Sequence, residues 1–370
     1  MTLDSKNLMH WFSAEQRDLP WRIDRTPYTV WVSEMMLQQT QVAVVIPYFL
    51  RWMKQFPTVH HLAAAQLDEV IKAWEGLGYY SRARYLYAGA CQIVEQFKGI
   101  FPDNEKELSQ IKGIGPYTVG AIRSFAFHQR APAVDGNVIR VLARYFLIED
   151  DIVKPKVIQH IREVATDILP ENESWIVSEA LIELGATICT RKPQCEKCPI
   201  RKCCRAYSHG AAARLPYKST KIKIVPLYRS VALLRWNDHW LVQRGQKGAI
   251  MSDLHEYPYL ETQKEGISES ELANVIEAMF RCRTVCEGTL PEVSHSFTKY
   301  NVRLRPVQFR CVDESMPVVD APYRWYTEEE LSKLAFSSGH RRIRLEILER
   351  RIQHRAAENA EEKKRKRRRG

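Results

Sequence analysis

Apolar residues recur at helical spacing through the first part of the chain. Val70, Trp74 and Leu77, for example, are separated by four and three residues. Residues at these separations share one face of a helix, so the pattern indicates amphipathic helices that bury one side. Residues 1–206 are therefore predicted to form an all-α domain.

The pattern changes after residues 207–223, a polar and basic segment that we predict to be a linker. Beyond it come short alternating runs, which are typical of strands, and one helical run at 268–280. The predicted strands are 229–234, 240–244 and 301–309. This mixture predicts a small α+β domain over residues 224–350.

Length and the end of the chain complete this organisation. A chain of 370 residues is long for one compact core, which agrees with two domains. Residues 350–370 hold ten Lys or Arg and three Glu without apolar periodicity. We predict a basic, disordered tail over 351–370.

Charge and targeting signals limit the expected binding partner and the cellular compartment. Lys and Arg total 55 against 44 for Asp and Glu, and the net charge of +11 suits a polyanionic partner without specifying one. No apolar run of about 18 residues could cross a bilayer, and residues 1–10 lack the apolar core of a signal peptide. We expect a cytoplasmic protein without a membrane partner.

Nine cysteines in a reducing compartment are not expected to form structural disulfides. Four of them follow the spacing Cys189-x5-Cys195-x2-Cys198-x5-Cys204. This compact loop favours a [4Fe–4S] cluster over a zinc ribbon, whose two Cys-x2-Cys pairs are usually farther apart. Cys203 is an additional thiol that could be mistaken for the last ligand.

A glycine hairpin joins two helical patterns at Lys112-Gly113-Ile114-Gly115-Pro116-Tyr117. Gly113 and Gly115 let the backbone approach a phosphate closely, and the following helix offers unpaired N–H groups. The hairpin therefore predicts a site that binds a phosphate, which we call the phosphate seat. The alternative is a plain connection between helices.

Two carboxylates have simple structural explanations when each is taken alone. Asp135 lies in Val134-Asp135-Gly136-Asn137, where a helix N-cap is the simplest alternative. Glu34 precedes an apolar run, and its alternative is an exposed glutamate in the first turn of a helix. Two carboxyl groups in different environments can divide the roles of acid and charge stabiliser.

The hairpin, the Asp135 segment and the cysteine loop, in this order, resemble the helix-hairpin-helix glycosylase superfamily. Residues 31–40, WVSEMMLQQT, and 74–82, WEGLGYYSR, resemble MutY-type adenine DNA glycosylases in particular. The likeness spans residues 1 to about 206. It implies an all-α helix-hairpin-helix domain with a [4Fe–4S] loop at 189–204, acting as a monomer on duplex DNA in the bacterial nucleoid, with possible repair-protein contacts.

The resemblance implies that adenine opposite 8-oxoguanine or guanine is extruded from the duplex and its glycosidic bond is hydrolysed. Glu34 would protonate adenine and Asp135 would support the cationic sugar, while Tyr117 and Asn137 orient the two carboxylates. Family members that also nick the strand carry a lysine where Tyr117 stands. A phenol forms no Schiff base, so we predict a monofunctional glycosylase.

The same resemblance assigns residues around the extruded base. Gln39 and Tyr79 would fill the gap that the base leaves in the stack. The implied adenine pocket consists of Arg17, Leu19, Trp21, Arg22 and Glu179. Glu179 and Glu183 lie one helical turn apart, and without the resemblance each is expected to be surface charge.

Residues 224–350 resemble, more weakly, the Nudix-like domain by which this family reads 8-oxoguanine. The run of glutamates that marks a Nudix hydrolase does not follow residues 254–258, so pyrophosphate hydrolysis is not expected. The recognition loop would include Phe297 and Thr298, with Lys299 where the family has histidine. The alternative is a β-hairpin in which Phe297 only packs against the core.

Three other functions stay open at this point. A pyrimidine-lesion glycosylase and lyase would share the fold and cluster but would need the hairpin lysine. A non-enzymatic iron–sulfur protein that binds DNA would not need Glu34 or Asp135. A Nudix phosphohydrolase is the third alternative.

Overall fold

A computed structural model of the chain describes residues 2–219, 223–246, 248 and 251–367, with side chains as far as 353. The chain divides into two compact units. One comprises Met1–Ala73 with Tyr79–Lys221, and the other comprises Trp74–Gly78 with Ile222–Gly370. In the part of the chain described, no helix is long and apolar enough to span a membrane.

The first unit is helical, as its periodicity predicts. Its α-helices are α1 Ser5–Glu15, α2 Pro27–Leu37, α3 Val42–Gln55, α4 Val59–Ala64, α5 Leu67–Ala73, α6 Ser81–Phe97, α7 Glu105–Leu108, α8 Pro116–Ala121, α9 Gly136–Tyr145, α10 Pro155–Asp167, α11 Ser174–Thr187 and α12 Arg205–Ser208. Short 3-10 turns lie at Pro20–Arg22, Cys195–Lys197 and Arg201–Cys203, and a π-helical turn at Ile122–Ala126 continues α8.

Close packing of α11 on α9 positions the start of α9. Val138, Val141 and Leu142 of α9 are buried with apolar residues of α1, α10 and α11 in one core. A methyl group on Gly185 of α11 would lie 2.6 Å from Cβ of Asn137. The first turn of α9 is therefore fixed against α11 because glycine leaves no side chain between them.

The segment that we predict to be a linker differs from that expectation over its first part. Ala206, Ala211 and Leu215 are buried together against Leu147, so the helical unit continues past residue 206. Small apolar residues within a basic stretch supply this packing. Residues 220–222 lie outside the described part of the chain.

The second unit contains a mixed sheet. Its strands are β1 Val225–Trp236, β2 His239–Arg244, β3 His255–Glu256, β4 Tyr259–Thr262, β5 Thr284–Thr289, β6 Val293–Phe297, β7 Tyr300–Cys311 and β8 Tyr323–Thr327, and its helices are α13 Glu269–Phe280, α14 Glu328–Lys333 and α15 Ser338–Arg367. Among the described residues the central strand order is β3-β2-β1-β7-β5. β1 and β7 are parallel, with Ala232 opposite Val307, while β4, β6 and β8 pair with β1, β7 and β2.

Both faces of this sheet are covered by helices. Alternate residues of β1 contribute to two cores, since successive side chains of a strand point to opposite faces. Val231 and Leu233 pack with residues of α14 and α15, whereas Ala232 and Leu234 pack with residues of α13. The α+β prediction is confirmed, as is the helix at 268–280, whose Ser268 forms a capping box.

The backbone differs from the predicted disordered tail. α15 runs to Arg367, so residues 351–367 are helical. The segment is rich in Ala, Glu, Lys and Arg, which are strong helix formers, and it extends a helix that the core already nucleates. Residues 368–370 lie outside the described residues.

Gly120 of α8 provides a test of the helical packing. A methyl group there would lie 2.1 Å from the carbonyl oxygen of Pro132. We expect Gly120→Ala to lower the free energy of unfolding by about 1–3 kcal/mol in urea titrations. Gly136→Ala is the matched control, because a methyl group there meets nothing within 4 Å; an equal loss in both variants would contradict this packing.

Candidate active site

A cavity in the helical unit gathers most of the predicted site residues. Its volume is about 2410 Å³, counting its open mouth. The predicted residues that line it are Arg17, Leu19, Trp21, Arg22, Glu34, Gln39, Tyr117, Asp135, Asn137 and Glu179. Tyr79, Gly113 and Gly115 belong to the same unit but not to this lining, and Phe297 and Thr298 belong to the other unit.

Glu34 lies in the buried part of α2, not in an exposed first turn. Thr26 caps this helix, which is buried from Tyr28 to Met36. The Tyr117 hydroxyl donates a short hydrogen bond to Oε2 of Glu34. Burial raises the pKa of Glu34 to about 7 because it outweighs the hydrogen bond from Tyr117, and the charge of Asp135 adds to the rise.

Tyr117 is the second residue of α8 and is fixed there by the hairpin before it. Burial, followed by the charge of Glu34, raises the pKa of the phenol well above its ordinary value. The phenol therefore stays neutral and serves as a hydrogen-bond donor.

The hairpin itself has the backbone that its glycines permit. Gly113 has φ 83°, and a methyl group on it would lie 2.5 Å from Cβ of Tyr85. Gly115 is the N-cap of α8 and makes no side-chain cap, and Pro116 begins the helix. The first N–H groups of α8 are thus not occupied by a capping side chain, as a phosphate seat requires.

Asp135 is the N-cap of α9 and faces the cavity at the same time. Oδ1 accepts hydrogen bonds from the backbone N–H groups of Asn137 and Val138, both at 2.8 Å. Oδ2 accepts one from Nδ2 of Asn137 at 2.7 Å. Burial raises the pKa of Asp135, while these hydrogen bonds and the charge of Arg140 act to lower it. The capping alternative is correct and coexists with a place in the site.

Arg140 joins this carboxylate to the cysteine loop, a role that the sequence did not reveal. Its Nη2 donates to Oδ1 of Asn137 and to the carbonyl of Gly185, each at 2.7 Å. Its Nε donates to the carbonyl of Cys189 at 2.7 Å. The available signal was its position three residues after Asn137, on the same helix face.

A network of arginines and glutamates forms another wall of the cavity. Glu179 accepts from Nε of Arg22 at 2.7 Å and from Nη1 of Arg25 at 2.6 Å. Glu183 accepts from Nε of Arg17 at 2.5 Å and from Nη2 of Arg22 at 2.8 Å. Only 7% of Glu179 and 1% of Glu183 is exposed, so the expectation of surface charge is wrong.

The arginines also control the charge of this wall. Burial acts to raise the pKa of Glu183, but the hydrogen bonds and charges of Arg17 and Arg22 outweigh it and hold that pKa below its ordinary value. Arg25 completes the network from the turn before α2, and no motif marks it in the sequence.

Gln39 and Tyr79 are exposed residues with left-handed backbones. Their φ angles are 57° and 48°. Such angles are uncommon for residues other than glycine, and they persist only where neighbouring contacts enforce them.

The four cysteines with cluster spacing face one another around a single cavity. Cys189, Cys195, Cys198 and Cys204 all line it, whereas Cys203 is exposed and is not among its lining residues. Burial raises the pKa of Cys198 to about 12, and the neighbouring thiols add to the rise. The described residues include no group of three ligands placed for a single metal ion.

The four thiols that line this cavity are the donor type that an iron–sulfur cluster takes. Nη1 of Arg144 lies 3.3 Å from Sγ of Cys189 and donates to the carbonyl of Thr190 at 2.6 Å. A buried guanidinium beside the sulfur offsets part of the negative charge that ligated thiolates would carry.

Phe297 and Thr298 lie at a hairpin of the second unit. Phe297 pairs with Tyr300 across β6 and β7 and packs, half-buried, against one core of that unit. Thr298 is exposed at the tip and has φ 49°, an outlier for a β-branched residue. The backbone is therefore a β-hairpin, and Phe297 packs against the core as the alternative describes.

Comparison with known proteins assigns both units to families. Residues 32–166 match the HhH-GPD superfamily base excision DNA repair protein model, and residues 230–346 match the NUDIX domain model. A solved thermostable thymine-DNA glycosylase has a TM-score of 0.51 and 27% identity, covering 55% of this chain and 95% of that one. The helical unit thus has a base-excision-repair glycosylase fold.

Similar proteins indicate which glycosylase family the chain belongs to. The adenine DNA glycosylase of Buchnera aphidicola is 34% identical over 310 residues, 83% of this chain and 86% of its own length. That of Rattus norvegicus is 45% identical over 225 residues, 58% of this chain and 44% of its own. The chain thus spans less than half of the mammalian relatives it matches. It belongs to the adenine DNA glycosylase family.

The buried carboxyl group of Glu34 predicts that the free energy of unfolding depends on pH. Its folded pKa is about 7 and its ordinary value is 4.5, so the folded protein binds the proton more tightly and its stability falls as pH rises through this interval. Relative to wild type, we expect Glu34→Gln to gain about 3 kcal/mol of unfolding free energy above pH 7 and little near pH 4.5. Urea titrations at both ends measure the gain. The exposed Glu95→Gln is the control, and a gain independent of pH would contradict the raised pKa.

Proposed function

We propose that the protein hydrolyses the N-glycosidic bond of adenine mispaired with 8-oxoguanine or guanine in duplex DNA. The observation that carries this proposal is the pair Glu34 and Asp135, which share one cavity but have different surroundings. Glu34 is hydrogen-bonded by a neutral phenol, whereas three N–H groups bind Asp135.

Glu34 serves as the general acid. With a pKa of about 7, Glu34 carries a proton in a large fraction of the molecules at neutral pH. Protonation at N7 of adenine turns the base into a neutral leaving group as the C1′–N9 bond breaks. Glu34, then ionised, accepts a proton from the water that adds to C1′, which restores the acid and completes hydrolysis.

Asp135 supports the cationic sugar that forms when the bond breaks. The three hydrogen bonds favour the ionised carboxylate, and they orient it toward the cavity. A fixed negative charge in a site with little water stabilises an oxocarbenium ion better than solvent does.

The same cavity supports monofunctional hydrolysis. No lysine is among the described residues that line it, and Tyr117 occupies the hairpin position where the strand-nicking relatives would need an amine. Without an amine near C1′, no Schiff base with the opened sugar can form.

The phosphate seat, the two exposed residues and the cysteine loop serve DNA binding. The hairpin with Gly113 and Gly115 would hold a phosphate of the strand, and Gln39 and Tyr79 would occupy the gap left by the extruded base. Cys189, Cys195, Cys198 and Cys204 would hold a [4Fe–4S] cluster. The cluster, when bound, supplies structural cross-links between thiolates, and the chemistry stays with the carboxylates.

The test uses duplexes that contain adenine opposite 8-oxoguanine. We expect wild type to leave sites that break in alkali, and Glu34→Gln or Asp135→Asn to reduce the single-turnover rate by at least about a hundredfold. Glu95→Gln is the surface control. Borohydride trapping of a covalent DNA adduct at stoichiometric yield would contradict monofunctional hydrolysis, and the absence of alkali-labile sites would end the proposal.

Recognition of 8-oxoguanine is assigned to the hairpin tip of the second unit. Thr298 supplies an exposed hydroxyl at a strained backbone position, which is typical of functional sites. We expect Thr298→Ala to reduce the preference for 8-oxoguanine over guanine by about two- to tenfold, the value of one hydrogen bond. The ratio of single-turnover rates on the two duplexes measures the preference. Ser296→Ala is the neighbouring control, and an unchanged ratio in Thr298→Ala with Phe297→Ala would reject this role.

A further inference from the structure

The two residues proposed to fill the DNA gap share one buried partner. Gln39 follows α2 and Tyr79 precedes α6, forty positions later in the chain. Both side chains are exposed and both backbones are left-handed. A left-handed backbone is unfavourable for a non-glycine residue, so each must be held by contacts nearby.

Arg82 supplies those contacts to the Gln39 loop. Its side chain is buried in the first turn of α6. Nη1 lies 2.9 Å from the carbonyl oxygens of Met35 and Met36 and 2.6 Å from that of Gln38. These are the carbonyls at the end of α2, where a cation is also favoured by the helix dipole.

Three further contacts of Arg82 reach Thr40, after Gln39, and Tyr79. Nη2 of Arg82 donates to Oγ1 of Thr40 at 3.3 Å, so the loop is bound before and after Gln39. The guanidinium lies 5.6 Å from the centroid of the Tyr79 ring, and the backbone N–H of Arg82 donates to the carbonyl of Tyr79 at 2.9 Å. One side chain therefore contacts both segments.

We propose that Arg82 is the positioning residue that sets Gln39 and Tyr79 at the spacing of the vacated base step. This inference rests on the proposed base extrusion and assigns its geometry to a buried residue. Arginine suits the role because its planar group offers several donors in fixed directions while its face meets an aromatic ring. Lysine keeps the charge but cannot reach the carbonyls and the ring together.

The test measures base unstacking and glycosidic bond cleavage separately. A duplex carries 2-aminopurine beside the adenine opposite 8-oxoguanine, and its fluorescence rises when inserted side chains unstack it. We expect Arg82→Lys to reduce this rise and to lower the single-turnover rate by about ten- to a hundredfold, since a misplacement of about 1 Å has effects of this order on the rate. Arg82→Gln is the second variant if the lysine variant does not fold.

Arg130→Lys is the matched control. Arg130 also donates to carbonyls near a helix end, those of Leu169 and Thr166 at 3.0 and 3.1 Å, away from the gap residues. Both readouts should stay within about twofold of wild type in this variant.

A double-variant cycle distinguishes positioning from general stability. In a Gln39→Ala and Tyr79→Ala background, Arg82→Lys should cause no further loss, because nothing remains to be positioned. A full further loss there, or an unchanged fluorescence rise in Arg82→Lys alone, would overturn the inference. A wild type that unstacks the probe but releases no adenine would instead refute the proposed function and leave the role of Arg82 standing.

Discussion

Four carboxyl groups are withdrawn from water around one cavity, and keeping them there is the constraint on which the helical unit depends. An unpaired buried charge is too costly to keep, so each group needs its own compensation. Glu179 and Glu183 receive arginines. Asp135 receives the N–H groups of a helix start, and Glu34 keeps its proton beside a phenol. The compensation differs from group to group, so the environments of these carboxyl groups differ within one cavity.

Much of this arrangement could be predicted from the chain. Helical periodicity identified the first unit, and the hairpin carried a local signal of its own. Asp135 by itself indicated only a helix cap, and its place in the site was expected from the resemblance. Arg25 could not be found this way, and Arg140 had only its spacing from Asn137 as a signal, because an arginine in a sequence looks the same on a surface and in a buried network. Their partners are distant along the chain, as with Arg140 and the carbonyl of Cys189.

The second unit illustrates a different limit. Short apolar runs and one helical run were sufficient to predict β1, β7 and α13. The left-handed backbone of Thr298 was not predictable, because threonine rarely adopts it and only the pairing of β6 with β7 imposes it. The helix over 351–367 was missed because charge composition does not separate a solvated tail from the end of a core-anchored helix.

The capping role of Asp135 has a consequence for motion. Both carboxylate oxygens are tied to α9, and α9 is packed without a gap against Gly185 of α11. Rotating the side chain toward a ligand would uncap the helix, so the carboxylate keeps a fixed position. The ligand must then move toward the carboxylate. A duplex too stiff to bring its sugar to this position would not react.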